Sequence, residues 1–256
     1  MDCPKCKSPV SARSRFCDQC GTNLVENVEF LHQRALDHYH RGLIDEAVKL
    51  WDESLIQDPE FSKGYYYKGL ALYDRGDLQL AIDAFNKALE KEQEPFRVYF
   101  KLGMAQYGLG DLTASAESFR KALEINPGSA ETHYRLGLSH LRNSDLDRAQ
   151  DALEKAILIN PKYTRALYIL GMVLSQKGNN AEAIEQFSKV VEISPSYTAA
   201  RFDLGMAFFK EGDLAQAVEQ FGKAVEKALA FNPNNRDAQY LHKHLSELKT
   251  PHKPGF

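Results

Sequence analysis

Five glycines, Gly69, Gly103, Gly137, Gly171 and Gly205, stand 34 residues apart along this chain, and other conspicuous features keep the same interval. A second series runs Gly42, Gly76, Gly110, Ser144, Gly178 and Gly212. A bulky series runs Trp51, Phe85, Phe119, Leu153, Phe187 and Phe221, and a small one Ala47, Ala81, Ser115, Ala149, Ala183 and Ala217. Prolines close four blocks, at Pro59, Pro127, Pro161 and Pro195, with Gln93 standing in once. A period of this length demands stacked equivalent units, because one such unit cannot bury its own apolar face.

Each block reads as two helices. In 62–75, Tyr65, Gly69 and Leu72 share a face, and Gly76 supplies the left-handed residue that ends a helix cheaply. Leu78, Ala81, Ile82, Phe85, Ala88 and Leu89 then restart the apolar stripe, until proline with a neighbouring Asp or Asn breaks it. The small residue at the Gly69 position lets the two helices approach, and the Phe85 position fills the space beside it.

In length and in its Leu-Gly…Ala…Phe…Ala…Pro columns the pattern resembles the tetratricopeptide repeat. The resemblance implies an all-α superhelical solenoid of six repeats, 28–61, 62–95, 96–129, 130–163, 164–197 and 198–231. The first block departs from the pattern: Ala35 replaces its glycine and His38 takes an inward column. The sixth departs too, since "EKALAFNP" holds four extra residues before Pro233. A closing helix is expected over 235–248, with Ala238, Leu241, Leu245 and Leu248 as its inward stripe and polar residues behind. A tail, 249–256, follows.

Solenoids of this family bind peptide segments in a concave groove lined by the first helix of each pair, so three columns are the candidate lining. The fifth holds His32, Tyr66, Phe100, Tyr134, Tyr168 and Phe202; the ninth Leu36, Leu70, Met104, Leu138, Met172 and Met206; the twelfth Tyr39, Tyr73, Tyr107, Leu141, Ser175 and Phe209. Tyrosine is generic in the fifth and twelfth. The ninth is generically Asn, and here it is Leu or Met throughout. Two roles are open for that column: packing between adjacent first helices, or an apolar groove for an amphipathic or extended partner segment. Lys63, Arg97, Lys101, Arg135 and Arg165 edge the same surface and would accept acidic flanks. The Asn ligands of the subclass that grips a C-terminal carboxylate are missing, so that specificity is not expected. Self-association through the groove is a further possibility.

All four cysteines fall within the first twenty positions, as "CPKC" and "FCDQCG". Two C-x-x-C turns can place four thiolates tetrahedrally, and Zn²⁺, which imposes no geometry of its own, suits that donor set. Residues 1–24 resemble a short zinc ribbon, with Gly21 after the second pair and Lys7 where the first pair usually has glycine. The expected cofactor is one structural Zn²⁺ on Cys3, Cys6, Cys17 and Cys20, which would supply the folding energy of so small a unit. An iron site or a redox dithiol is the alternative. Lys5, Lys7, Arg13 and Arg15 would offset the cluster's negative charge, or else touch RNA or DNA. The short linker "GTNLVEN" should hold the ribbon near the first repeat.

The remaining function classes find little support. There is no Gly-rich phosphate loop, nucleophile elbow or His-Glu-x-x-His pattern. His133 and His140 lie seven apart on one helix face and read as buried, hydrogen-bonded histidines. With 32 basic against 35 acidic residues the chain lacks the basic excess of a dedicated nucleic-acid binder. No apolar run approaches the roughly 18 residues of a membrane span, and no secretory leader is visible, so a cytoplasmic protein is expected. The reading is a non-enzymatic adaptor that holds a protein partner. The alternative is a nucleic-acid-associated regulator whose ribbon contacts RNA or DNA.

Overall fold

The computed structural model describes residues 2–11, 14–91 and 95–249, with side chains to 245. Arg13 of the basic cluster, Gln93 and positions 250–256 of the expected tail lie outside them. Among the described residues there are thirteen α-helices and no strand beyond two isolated bridges, Asp2 with Pro9 and Phe16 with Asn23. The chain divides into two compact units, Met1–Pro127 and Gly128–Phe256.

The first unit carries the cysteine segment and helices α1 (Val28–His40), α2 (Ile44–Gln57), α3 (Ser62–Arg75), α4 (Leu78–Lys91), α5 (Phe96–Leu109) and α6 (Leu112–Ile125). The helices pack as α1 on α2, α3 on α4 and α5 on α6, and each hairpin packs on the next through α2 on α3 and α4 on α5. Its core runs through Leu31, Trp51, Leu72, Phe85 and Leu102, all buried. The second unit repeats this with α7 (Ala130–Arg142), α8 (Leu146–Ile159), α9 (Thr164–Lys177), α10 (Asn180–Ile193), α11 (Thr198–Lys210) and α12 (Leu214–Phe231). The final helix, α13 (Arg236–Lys249), packs on α12. The core here is built on Leu153, Leu170, Leu174, Phe187 and Leu204.

Two features set the hairpin geometry. The turn residue is left-handed throughout, from Gly76 at φ 93° to the one non-glycine in the series, Ser144, at φ 61°. The chain beyond it closes the helix end, as when Asp77 N–H reaches back to Leu72 O at 2.9 Å. The second feature is contact across the hairpin. A Cβ at Gly171 would sit 2.5 Å from Phe187 Cε1, and one at Gly69 2.6 Å from Phe85 Cε1. Leu153 fills the same place beside Gly137.

Two expectations change at the ends of the array. His32, in the fifth column, is buried rather than available to a ligand. Its Nδ1 accepts from Trp51 Nε1–H at 3.0 Å, with Phe61 and Tyr67 edge-on to its ring. Leu241, expected in the inward stripe of the last helix, is 43% exposed, whereas Ala238 of the same stripe is buried.

Candidate functional site

The two cysteine pairs form matching turns. Lys7 N–H donates to Cys3 O at 2.9 Å, and Gly21 N–H to Cys17 O at 2.8 Å. Cys3 N–H donates to Ser8 O at 2.8 Å, and Cys17 N–H to Thr22 O at 2.9 Å. Both turns need a left-handed residue, which is Lys7 at φ 60° in one and Gly21 at φ 68° in the other. The turns bring Cys3 Sγ to 3.6 Å from Cys20 Sγ and Cys6 Sγ to 3.5 Å from Cys17 Sγ, with all four sulfurs within 4.8 Å of one another. A disulfide would need about 2.05 Å. Four sulfurs each about 2.3 Å from one centre would stand about 3.8 Å apart. The cluster is therefore close enough to share one metal ion.

Its polar surroundings favour thiolates at some positions and oppose them at others. Hydrogen bonds from the Ser8 side chain and backbone pull the Cys6 thiol down to about 6, and Thr22 lowers Cys20 in the same way. Burial pushes Cys17 up to about 11. A dication among the sulfurs would favour the Cys17 thiolate that burial opposes, releasing its proton.

The cysteine segment is seated on the first hairpin. Cys3, Cys17, Leu24 and Phe30 of α1 form one buried cluster. Asn27 caps α1 by accepting from Phe30 N–H at 2.9 Å, and Gln57 of α2 donates through Nε2 to Val25 O at 3.1 Å. Lys5, Lys7, Arg15 and Phe16 are exposed, Phe16 at 53%.

The candidate groove columns divide by depth. In the first unit, Tyr66 and Phe100 pack their rings on Phe85 and Phe119, with centroids 6.1 and 5.7 Å apart. Leu70, Tyr73, Met104 and Tyr107 are half-buried, so each meets the core and leaves an edge outside. Lys63 and Arg97 are exposed and Lys101 is half-buried; none has an ion-pair partner among the described residues. Asp74, near the end of α3, accepts from Tyr39 of α1, and burial together with that contact holds the Tyr39 phenol well above its usual range.

In the second unit, Tyr134 lies deeper than a groove residue should. It is 8% exposed and packs against Tyr163 with the rings tilted and their centroids 5.1 Å apart. Tyr168 sits between Phe187 and Tyr197 and donates to Asp203 at 2.6 Å. Leu138 and Met172 are half-buried against the core, while Phe202 and Met206 of α11 are exposed. Arg135 is held by Glu131 at 2.7 Å, and Glu131 also accepts from Tyr163; Arg165 is exposed. Sequence reasoning missed these tyrosine–carboxylate ties. The 35-residue offsets Tyr39–Asp74 and Tyr168–Asp203 were the signal that could have found them.

Among the described residues, no helix is long and apolar enough to cross a membrane. The sequence model described as "Tetratricopeptide repeat" matches residues 32–95 and 134–198, a "TPR repeat" model matches 107–144, and a further "Tetratricopeptide repeat" model matches 174–245. None of the three describes a catalytic family. No curated protein matches significantly. Among solved structures, "Crystal structure of MamA protein" is 30% identical with TM-score 0.65, over 69% of this chain and 97% of that one. A second MamA structure is 32% identical with TM-score 0.61, over 62% of this chain and 94% of that one. "YrrB: a TPR protein with an unusual peptide-binding site" shares the fold at 23% identity and TM-score 0.63, over 75% of this chain and 97% of that one.

Proposed function

Since the chain belongs to the tetratricopeptide repeat family, we propose that it is a non-enzymatic adaptor whose first helices hold an apolar, acid-flanked segment of a protein partner. The observation that carries this reading is the α3–α5 face of the first unit. Half-buried Leu70, Tyr73, Met104 and Tyr107 lie there among Lys63, Arg97 and Lys101, while the adjacent Asp74 is already tied to Tyr39. Apolar contact supplies the affinity, and cations without ion-pair partners among the described residues select against basic ligands. On the second unit, Leu138, Met172, Phe202 and Met206, with Arg165, make the corresponding surface. The peptide-binding site described for YrrB is an activity of the same kind on the same fold.

The four-cysteine cluster suits a structural Zn²⁺. The sulfur spacing fits, and four thiolates complete the shell without an open position for water or substrate. Bound there, the ion would cross-link residues 3–20 and hold the apolar seat formed with Phe30.

The test is selection from a random displayed-peptide library on the full zinc-loaded chain. Enriched peptides should set Asp or Glu beside Leu, Phe or Met. They should lose binding to Met104→Glu, and Arg97→Glu/Lys101→Glu should abolish the acidic preference. Peptides that bind both variants as well as the wild type would overturn the reading. The second reading, RNA or DNA contact by the ribbon, is favoured by exposed Phe16 next to Arg15 in the chain, with Lys5 and Lys7 also exposed on the same small segment. It requires strongly salt-dependent binding of a single-stranded oligonucleotide that Phe16→Ala/Arg15→Ala removes.

A further inference from the structure

The residue two places after each second cysteine carries a hydroxyl: Ser8 follows Cys6 through Lys7, and Thr22 follows Cys20 through Gly21. The backbone explains the position but not the side chain. The left-handed residue between, Lys7 at φ 60° or Gly21 at φ 68°, turns the chain back on itself. The carbonyls of Ser8 and Thr22 then accept from Cys3 N–H at 2.8 Å and from Cys17 N–H at 2.9 Å. Any residue could close the turn with its carbonyl in that way, so the hydroxyl at both equivalent positions calls for a separate reason.

Both hydroxyls meet sulfur. Ser8 Oγ lies 3.4 Å from Cys6 Sγ, and Thr22 Oγ1 lies 3.1 Å from Cys20 Sγ. The backbone N–H groups of Ser8 and Thr22 are aimed at the same two sulfurs. These two cysteines are the outward pair: Cys6 is exposed and Cys20 half-buried, whereas Cys3 and Cys17 are buried. A sulfur bound to a metal carries no proton, so the hydroxyl is the donor in each contact. Four thiolates on one dication leave a formal double negative charge, and donors to the sulfurs offset it and fix the direction each sulfur faces. Water can also donate to an exposed sulfur. A hydroxyl anchored by its own backbone does so in one direction and occupies the side from which a reagent would approach.

Resting on the Zn²⁺ reading of the cluster, we propose that Ser8 and Thr22 are positioning residues of the metal centre, each donating its hydroxyl to the outward thiolate of its own turn, Cys6 or Cys20. The pairing helps to retain the ion. It also lowers the nucleophilicity of the two sulfurs that a dissolved electrophile reaches first, because a lone pair engaged by O–H is less available for attack.

The test uses the full chain loaded with Zn²⁺. Ser8→Ala and Thr22→Val, which remove the hydroxyl and change little else, should each weaken Zn²⁺ retention against a chromophoric chelator at least about tenfold. Ser8→Thr and Thr22→Ser, which keep a hydroxyl, should restore it. Limited iodoacetamide, whose carbon bonds the attacking sulfur as iodide leaves, resolves the sites. In singly labelled chains mapped by mass spectrometry, Ser8→Ala should speed labelling of Cys6 alone, and Thr22→Val that of Cys20 alone. Wild-type retention and labelling in both variants overturn the proposal and leave the metal site standing. Faster labelling of all four cysteines overturns it too, since that marks a loosened turn and not a lost donor. A wild type that takes up no Zn²⁺ fails the metal reading itself, and the proposal falls with it.

Discussion

Gly171→Ala places two effects in direct opposition. In a helix interior, alanine is favoured over glycine by about 1 kcal/mol, so an isolated α9 would be stabilised. The new Cβ would meet Phe187 Cε1 at 2.5 Å and Cδ1 at 2.8 Å, where carbon pairs prefer about 3.5–4.0 Å. The ring would have to retreat by about 1 Å. Phe187 is 1% exposed and stands against Tyr168 with centroids 5.9 Å apart, so retreat displaces packed neighbours. Overpacking of this kind costs about 1–3 kcal/mol, and at mid-range the net expectation is a loss of about 1 kcal/mol. Gly108→Ala is the control: it is also helical, in the last turn of α5, but its Cβ would meet only Leu78, whose nearest atom, the free end Cδ1 of a half-buried side chain, lies at 3.0 Å. That substitution should gain up to about 1 kcal/mol. Because stacked hairpins need not unfold in one step, hydrogen exchange resolved on α9 and α10 is the right assay. A double-mutant cycle with Phe187→Ala isolates the contact, since removing the ring should cost about 1 kcal/mol less in the Gly171→Ala background, where the ring is already strained. Equal or higher protection of α9 and α10 in Gly171→Ala, or strict additivity in the cycle, would refute the reasoning.

Three further outcomes are expected. Ser144→Gly should raise stability by about 1 kcal/mol, because a β-carbon at φ 61° is strained and glycine is not; the denaturation midpoint reports it, and a drop would show that the Ser144 side chain matters more than its backbone. Burial holds the His32 imidazole below its ordinary value of 6.5, so folding favours the neutral ring, and the stability it contributes is present above that pH and is lost as pH falls beneath it. Glu29 and Lys63 pull it in opposite directions. Trp51 is the chain's sole tryptophan and donates to His32, so its fluorescence titration should have a midpoint below 6.5 that disappears in His32→Gln, and a midpoint above 6.5 contradicts the burial argument. Chelation of Zn²⁺ should raise hydrogen exchange in 3–24 and in α1, which shares Phe30 with the cysteines, while α9 and α10 stay unchanged.

The repeat unit was legible because it rests on local rules repeated at a fixed interval. A left-handed turn residue, a small residue opposite a ring and a helix-breaking proline each act within one hairpin, and their recurrence at 34 residues forces hairpins to stack. The cysteine spacing was legible for the same reason, since each C-x-x-C turn closes on its own backbone. Neighbours some 30 residues away decided the rest. His32 is shut away because Tyr67 of the next block closes on it in addition to its own block's Trp51 hydrogen bond, and the first block alone does not supply that ring. Tyr134 is buried because Tyr163 and its own hairpin close over it, and Asp74 and Asp203 are occupied because a tyrosine on the preceding first helix reaches them. The four extra residues of α12 were plain in the sequence, but the cover at that end was not. Only in three dimensions do Leu214, at the start of α12, and Phe209 of α11 stand exposed, because cover depends on where one helix lies along another and not on which residues either contains.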